Sequence, residues 1–403
     1  MQVRRGINGN LGGFGLKNTA ALLFALIAFA FPDRVQSQDL DPSLGKDAPV
    51  LEVDLGKFGY DTSSSTKRLP KFVDFTSVNQ LALSWLTFDD PSVAQNTGPL
   101  TARPAHLHVL ILDAQMGRKQ GLQEWSTPST PVRFLGIRDG RFLTCTGNVL
   151  RLFSPSFEVI REETLPSDRT CFSPVFSEGW GLTPSRRYLL LSSYSARRYQ
   201  NTLFDIEKFT SIDDWTEEQP TQDLSDHWLI AYCGRQREVC IRGMDQSWQS
   251  FQTNGLDKQM KDFKLNSPLF VNDGTLVIEE GNELAVVEVD GRVLFQVTLP
   301  KKRSFGRPVR SSGGQRFAII ENVQRGLTNE TLDMYAFPSN DRVVVYSIPD
   351  SRAIYAVKLK GHSPWVPWEI HRNQVALSPD GILLAVVSDG VLKVYQLPGS
   401  DTR

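Results

Sequence analysis

The sequence is poor in the groups on which enzyme chemistry usually depends. It has only five histidines in 403 residues. It contains no GxSxG nucleophile elbow, no HExxH metal motif, no Walker loop and no GxGxxG segment following a strand. These absences remove the common hydrolase, metalloprotease and nucleotide-binding signatures. We therefore predict no catalytic residue, and we favour a non-enzyme over an enzyme.

A strong charge of one sign is also missing. Lysine and arginine number 44 against 45 acidic residues, which gives a formal net charge of −1. Without residues 1–37 the net charge is about −4. A nucleic-acid-binding domain needs a basic surface to neutralise phosphates. We therefore expect no nucleic-acid partner.

Long apolar runs are absent except near the N-terminus. Arg4, Arg5 and Lys17 precede an apolar run of about 13 residues over 19–31, and Val35-Gln36-Ser37 follows it. This is the layout of a secretory signal peptide, which we predict is cleaved after Ser37. The alternative, a membrane anchor, needs about 20 apolar residues. We expect a signal peptide over 1–37, a polar leader over 38–49, a secreted or periplasmic protein, and no transmembrane anchor after cleavage.

Cysteine is scarce, and all four cysteines follow the predicted cleavage point. An even number of cysteines in an oxidising compartment favours disulfides over free thiols. The segment AYCGRQREVC is typical of two strands around a polar turn. We therefore favour Cys233–Cys240 together with Cys145–Cys171, although four cysteines allow three pairings. CxxC spacing is absent, so zinc binding is not expected.

Acidic side chains cluster in one stretch, 213–226, with the sequence DDWTEEQPTQDLSD. Asp213, Asp214, Glu217 and Glu218 carry the oxygen ligands that Ca²⁺ prefers, but the stretch lacks the D-x-D-x-D-G order. We interpret it as a solvated connection between two repeating units. No cofactor is predicted.

What the sequence does contain is one pattern, repeated from about residue 78 to the end. A turn of Gly, Asn, Asp or Pro is followed each time by an apolar strand rich in Leu, Val, Ile and aromatics. The turns are Val78-Asn79, Asp139-Gly140, Pro184-Ser185, Ser225-Asp226, Asn272-Asp273-Gly274, Gly313-Gly314 and Pro379-Asp380-Gly381. The strands alternate only in part, which is typical of strands buried on both faces.

The last repeat, residues 361–398, carries the segments GH, SPDG, SDG and VYQL in that order. This order resembles the last repeat of a WD40-type β-propeller. Tyr395 and Gln396 stand where that family usually has Trp-Asp, and the gap from His362 to the SPDG turn is about six residues longer than usual. The resemblance implies that His362 hydrogen-bonds Asp389 across a tight turn. We expect a structural role for this pair.

Turn-to-turn intervals of about 40 to 67 residues fit four-stranded propeller blades, which recur every 40–45 residues or so. We predict an all-β, seven-bladed β-propeller of four-stranded antiparallel blades over 50–398, with a tail over 399–403. Six or eight blades remain alternatives, because units one and six are irregular. The last unit shows only three strands, and an unassigned strand lies at 50–55. We expect that N-terminal strand to complete the last blade and close the ring.

Two groups of residues are candidates for a site. Trp365 and Trp368 flank Pro367 in the loop that enters the last unit. They are the candidate residues for binding a peptide, sugar or partner, although packing between blades is the favoured interpretation. His106 and His108 alternate on one strand face, which is compatible with a metal pair. No neighbouring carboxylate is evident in the sequence, so we interpret the two histidines as an outward face of a blade strand.

These features together predict a function. We expect a monomeric, non-catalytic exported propeller that binds a protein or peptide partner as a scaffold or interaction module. One alternative is a propeller hydrolase or lactonase with a metal in the central channel. Another is a carbohydrate-binding envelope protein that uses its tryptophans.

Overall fold

The computed structural model describes most of the chain after residue 47. The described ranges are 48–60, 72–88, 105–127, 132–166, 180–195, 197–218, 221–233, 238–244, 246–251, 268–280, 282–301, 303–323, 341–359, 374–388 and 390–399. Nearly all of their regular structure is β-strand, with two short 3-10 helices at Leu55–Phe58 and Arg138–Gly140. Among these residues no helix is long and apolar enough to cross a bilayer.

The strands form seven four-stranded antiparallel sheets, which confirms the predicted number of blades. Strand β1, Leu51–Asp54, precedes the first blade. Blade 1 contains β2 to β5: Phe72–Ser77, Gln80–Phe88, Ala105–Asp113 and Lys119–Thr127. Blade 2 contains β6 to β9: Val132–Gly136, Phe142–Thr146, Val149–Phe153 and Val159–Thr164. Blade 3 contains β10 to β13: Trp180–Leu182, Tyr188–Ser195, Arg198–Asp205 and Thr210–Glu217.

The remaining four blades follow the same order. Blade 4 contains β14 to β17: Thr221–Leu224, Trp228–Cys233, Glu238–Gly243 and Gln249–Ser250. Blade 5 contains β18 to β21: Leu269–Phe270, Thr275–Glu280, Glu283–Glu288 and Val293–Thr298. Blade 6 contains β22 to β25: Arg303–Arg310, Arg316–Val323, Arg342–Ser347 and Arg352–Lys358. Blade 7 contains β26 to β28, Val375–Leu377, Leu383–Ser388 and Val391–Gln396, together with β1.

Ring closure through the N-terminal strand is confirmed. β1 pairs antiparallel with β28, and Val53 lies opposite Leu392. Just beyond β1, Leu55 is only 1% exposed in the apolar cluster shared by blades 7 and 1. β1 thus covers the strand edge that β28 would otherwise expose.

The hydrophobic core lies between the blades, because each second strand buries both of its faces. In β3, Leu81 and Leu83 pack with residues of blade 7, whereas Ala82 and Leu86 pack with residues of blade 2. A strand buried on both sides needs apolar side chains at successive positions, not only at alternate ones. This arrangement explains the partial alternation in the sequence.

The acidic stretch 213–226 corrects the sequence prediction of a connecting loop. Its first part belongs to β13, the outer strand of blade 3, and its later part contains β14, the inner strand of blade 4. Most of β13 is exposed, and a solvent-facing edge strand tolerates charged residues. The polar composition therefore reflected an exposed strand and not a loop.

The outer strands carry a recurring irregularity. In blades 1, 2, 3, 5 and 6 the pairing of the third and fourth strands shifts by one residue near the start of the fourth strand. Such a shift is a β-bulge, in which one extra residue bends the outer strand. The extra residues are Gln120, Ile160, Ile212, Leu294 and Ile354.

Candidate functional site

The binding and turn residues predicted from the sequence lie outside the described residues. Trp365, Trp368 and His362 belong to the segment between the last strand of blade 6 and the first strand of blade 7. Asp389 falls between β27 and β28 in the sequence. Their roles stay predictions.

The cysteine pairing also stays a prediction. Cys145 and Cys240 are buried, and neither is a free thiol. Cys171 lies outside the described ranges. In the hairpin of β15 and β16, Cys233 pairs in register with Glu238 and Cys240 with Ala231, so the two cysteines occupy diagonal positions.

The geometry brings other residues together along the innermost strands. Arg186, in the turn after β10 of blade 3, donates from Nη2 to Asp74 Oδ1 at 2.8 Å on β2 of blade 1. Its Nη1 donates to the carbonyl oxygens of Phe75 at 2.6 Å and Gly136 at 3.1 Å. Burial raises the pKa of Asp74, and the Arg186 guanidinium opposes that rise. One side chain thus joins three blades.

Gly136 makes this contact possible. A Cβ at that position would lie 2.8 Å from Asp74 Oδ2 and 3.2 Å from Arg186 Nη1. Such distances require the ion pair to shift. Glycine at the end of β6 therefore leaves room for the guanidinium to cross from blade 3 to blade 1.

A second arginine repeats the arrangement on the other side of the ring. Arg310, on β22 of blade 6, donates from Nη1 to Asp223 Oδ2 at 2.9 Å on β14 of blade 4, and to the carbonyl of Phe270 in blade 5. Asp223 Oδ2 also accepts from the Phe270 backbone N–H at 2.7 Å. Both acidic residues of these inner strands therefore hold an arginine from two blades away. Such charge-assisted contacts satisfy buried groups that would otherwise be costly.

The turns between the first and second strands link neighbouring blades at one end of the ring. The sequence singled out these turns as the start of each repeat, and the structure joins those of blades 3 to 7 by hydrogen bonds. The donor and acceptor pairs are Ser185 to Asp226, Ser225 to Asp273, Asn272 to the Gly314 carbonyl, and the Gly313 N–H to the Pro379 carbonyl. A Cβ on Gly313 would lie 2.6 Å from the Pro379 carbonyl oxygen, so this link requires glycine.

One pair of side chains in the turns at this end of the ring is open to solvent. His227 Nδ1 contacts Asp273 Oδ2, and the His227 backbone N–H donates to Asp273 Oδ1 at 2.8 Å. The hydrogen bond that the His227 ring makes to the Asp273 carboxylate raises the pKa of His227. With side-chain exposures of 76% and 44%, the pair lies at a surface that a partner can reach.

The two alternating histidines have a carboxylate neighbour that the sequence did not reveal. Glu124, on β5, lies opposite His108 in register. Its Oε1 is 2.9 Å from His106 Nδ1, and its Oε2 is 3.5 Å from His108 Nδ1. His108 also shares a 2.8 Å hydrogen bond with Thr87 and stacks on Trp85. The interpretation as a plain outward face is therefore incomplete.

This cluster is a hydrogen-bonded network on the end of blade 1. Partial burial lowers the pKa of His108, which favours the neutral ring. In the described part of the chain no group of three or more His, Cys, Asp or Glu side chains has the geometry to hold a metal ion. The network holds the ends of β3, β4 and β5 together.

An arginine between two tryptophans marks the boundary of blades 3 and 4. The Arg242 guanidinium lies 4.6 Å from the Trp215 ring and 5.0 Å from the Trp248 ring. Glu217 accepts a hydrogen bond from Trp248 Nε1 at 2.6 Å, and burial raises the Glu217 pKa. Asp213 lies 4.0 Å from Arg242. Two of the acidic residues considered for Ca²⁺ thus contact this boundary.

Comparison with known proteins supplies no family. No family model matches the chain, and no curated protein matches it. Kluyveromyces lactis Hsv2 has a similar solved structure at 11% identity, covering 83% of this chain and 95% of that one, with a TM-score of 0.46. The Swd1 propeller domain of Myceliophteria thermophila is 9% identical over 68% of this chain and 98% of that one, with a TM-score of 0.36.

A third similar structure is an enzyme. Hydrazine synthase of Kuenenia stuttgartiensis is 11% identical and covers 61% of this chain and 70% of that one, with a TM-score of 0.41. At these values the similarities carry no argument about activity or partner.

Proposed function

We propose that this chain is a non-catalytic β-propeller that binds a protein or peptide partner outside the cytoplasm. The observation that carries the proposal is that the carboxylates of the inner strands are bound to arginines of other blades. Asp74 and Asp223 each bind an arginine from two blades away, so their charges serve to hold the ring together. A closed, internally linked ring is a rigid support for a binding surface, and rigidity reduces the entropy lost on binding.

The same contacts weigh against a hydrolase in the central channel. Such an enzyme needs a carboxylate that is available to a metal ion or to a proton in transfer. Withdrawing Asp74 or Asp223 from its arginine would leave a buried guanidinium without its counter-charge, which is destabilising. These two acidic residues are therefore poor candidates for catalysis.

Export is part of the proposal and rests on the N-terminal sequence. The basic residues, the short apolar run and the small residue at the predicted cut are typical of a secretory signal. The even number of cysteines fits an oxidising compartment.

The test uses the full mature chain from residue 38. The protein is used as bait with extracts of its source, and each captured protein is produced separately and titrated against the purified propeller. Saturable binding to one such protein in solution is the expected result. Turnover of ester or lactone substrates by the purified chain would replace the proposal with the hydrolase. Glycan binding that disappears in Trp365→Ala and Trp368→Ala would replace it with the carbohydrate-binding alternative.

A further inference from the structure

The outer-strand bulges differ in how their extra residue is covered. In blade 6 the extra residue Ile354 is buried in the cluster shared with blade 7, and in blade 5 Leu294 packs partly against the cluster shared with blade 6. In blades 2 and 3 the equivalent residues Ile160 and Ile212 are 46% and 45% exposed. The same position is therefore apolar and covered in two blades, and apolar and uncovered in two others.

The two uncovered positions belong to neighbouring outer strands. Arg161 on β9 donates from Nη1 to the carbonyl of Lys208 at 2.6 Å, in the turn that leads into β13. This contact ties the start of β9 to the start of β13, where both bulges lie. Val159, 53% exposed, adds a third apolar side chain beside Ile160. We call β9 and β13 together the acidic rim.

The acidic rim carries an excess of negative charge. Its two strands contain five carboxylates and one arginine; Arg151 pairs with Glu162 at 2.5 Å and Arg242 lies 4.0 Å from Asp213, which leaves a net charge of −2. The carboxylates are Glu162, Glu163, Asp213, Asp214 and Glu217. Apolar side chains on a surface with a net negative charge favour a ligand that offers apolar side chains together with positive charge.

Strand β9 also offers an edge to which another strand can add. It is the last strand of its sheet, and in the described residues it pairs only with β8. All six of its residues are exposed. An extended peptide that joins such an edge gains main-chain hydrogen bonds and places alternate side chains on one face.

We propose that the acidic rim docks an extended, basic segment of another protein, which adds to β9 as a further strand. Its apolar side chains cover Ile160 and Ile212, and its lysine or arginine side chains lie beside the rim carboxylates. This inference rests on the proposed binding function and names the surface and the kind of partner.

The experiment uses the full mature chain and a synthetic peptide of about ten residues in which lysine and valine alternate. Binding is measured by fluorescence anisotropy at low and at high salt. We expect saturable binding that weakens with salt, and no binding of the matching glutamate–valine peptide. The double variant Ile160→Thr/Ile212→Thr should weaken binding about tenfold or more. Glu163→Lys should weaken it and reduce its salt dependence.

The control variant is Ile382→Thr, which changes an isoleucine of similar exposure, 43%, directly before β27 of blade 7. It should bind the peptide like the unchanged protein. Two forms of the basic peptide test strand addition, each methylated on one of the two alternating sets of backbone nitrogens. Each form loses the main-chain hydrogen bonds of one edge only. One of the two methylated forms should lose binding.

Three outcomes overturn the inference: no binding of the basic peptide, equal binding of the acidic peptide, or unchanged affinity in the double isoleucine variant. Thermal melting of each variant establishes that the fold is retained. If the rim variants capture a natural partner as well as the unchanged chain does, the acidic rim is not the docking surface, while the proposed binding function stands. If no partner is captured by either, the function itself fails.

Discussion

Arg186 and Asp74 join blade 3 to blade 1 across an intervening blade, with Nη2 and Oδ1 2.8 Å apart. Both side chains are largely buried. Residues 112 positions apart in the chain thus share one contact near the centre of the ring. The pair sets the first prediction.

Arg186→Met should lower the free energy of unfolding by about 3–5 kcal/mol, because it leaves Asp74 buried without its counter-charge. The matched control is Arg187→Met. That neighbouring arginine is 45% exposed and lies 3.6 Å from Asp205, which keeps hydrogen bonds from the backbone N–H groups of Glu207 and Lys208 without it, so its loss should cost under about 1 kcal/mol. Urea unfolding followed by tryptophan fluorescence measures both. Equal losses in the two variants would contradict the structural role of the pair.

Removal of the closing strand should destabilise the whole ring. Deleting residues 38–57 removes β1 and Leu55, which is buried between blades 7 and 1. Loss of a buried leucine and of one strand pairing should lower Tm by about 5–10 °C. The exposed edge of β28 should also promote self-association, visible by light scattering. Deleting only residues 38–47 leaves β1 in place and should change neither property.

Glu279 should make stability depend on pH. It is 5% exposed on β19, and burial raises its pKa well above the usual value. Between the unfolded and the folded pKa the folded state holds a proton that the unfolded state has released. Stability from this group is therefore present at low pH and is lost as pH rises through the folded pKa.

Glu279→Gln should accordingly stabilise the protein at pH 8 and change it little near pH 4. Urea unfolding at a series of pH values shows the effect as a smaller loss of stability with rising pH. Glu283→Gln, on the adjacent strand and only half-buried, is the control. If both variants keep the slope of the unchanged protein, the buried carboxyl is not its source.

The cysteines give a prediction about the mature protein. We expect non-reducing mass spectrometry to find no alkylatable thiol, and peptide mapping to give Cys233–Cys240 and Cys145–Cys171. Reduction should lower the free energy of unfolding by about 2–4 kcal/mol per bridge. Four alkylatable cysteines would argue against export, whereas another pairing would correct only the connectivity.

The repeat pattern was readable because each blade begins with a local signal. All seven turns found from Gly, Asn, Asp and Pro lie between the first and second strands of a blade. An apolar second strand follows each of these turns, as the sequence predicts. Turn chemistry and apolar runs depend on neighbouring residues, so a single sequence contains them.

The features that the sequence analysis misread or missed depend on contacts between distant parts of the chain. The acidic stretch at 213–226 looked like a loop because an outer strand faces water and needs no apolar pattern. Glu124 was missed as the neighbour of His108 because strand register places residues 16 positions apart beside each other. Neither fact is encoded in local composition.

By itself the sequence determined the all-β class, the seven repeats and the N-terminal strand that closes the ring, because these follow from local turns and apolar strands. Only the tertiary structure decided which polar groups meet. Arg186 with Asp74, Arg310 with Asp223, and the uncovered Ile160 and Ile212 are products of blades packing side by side. Contacts between distant segments depend on the geometry of the closed ring, and no local pattern specifies them.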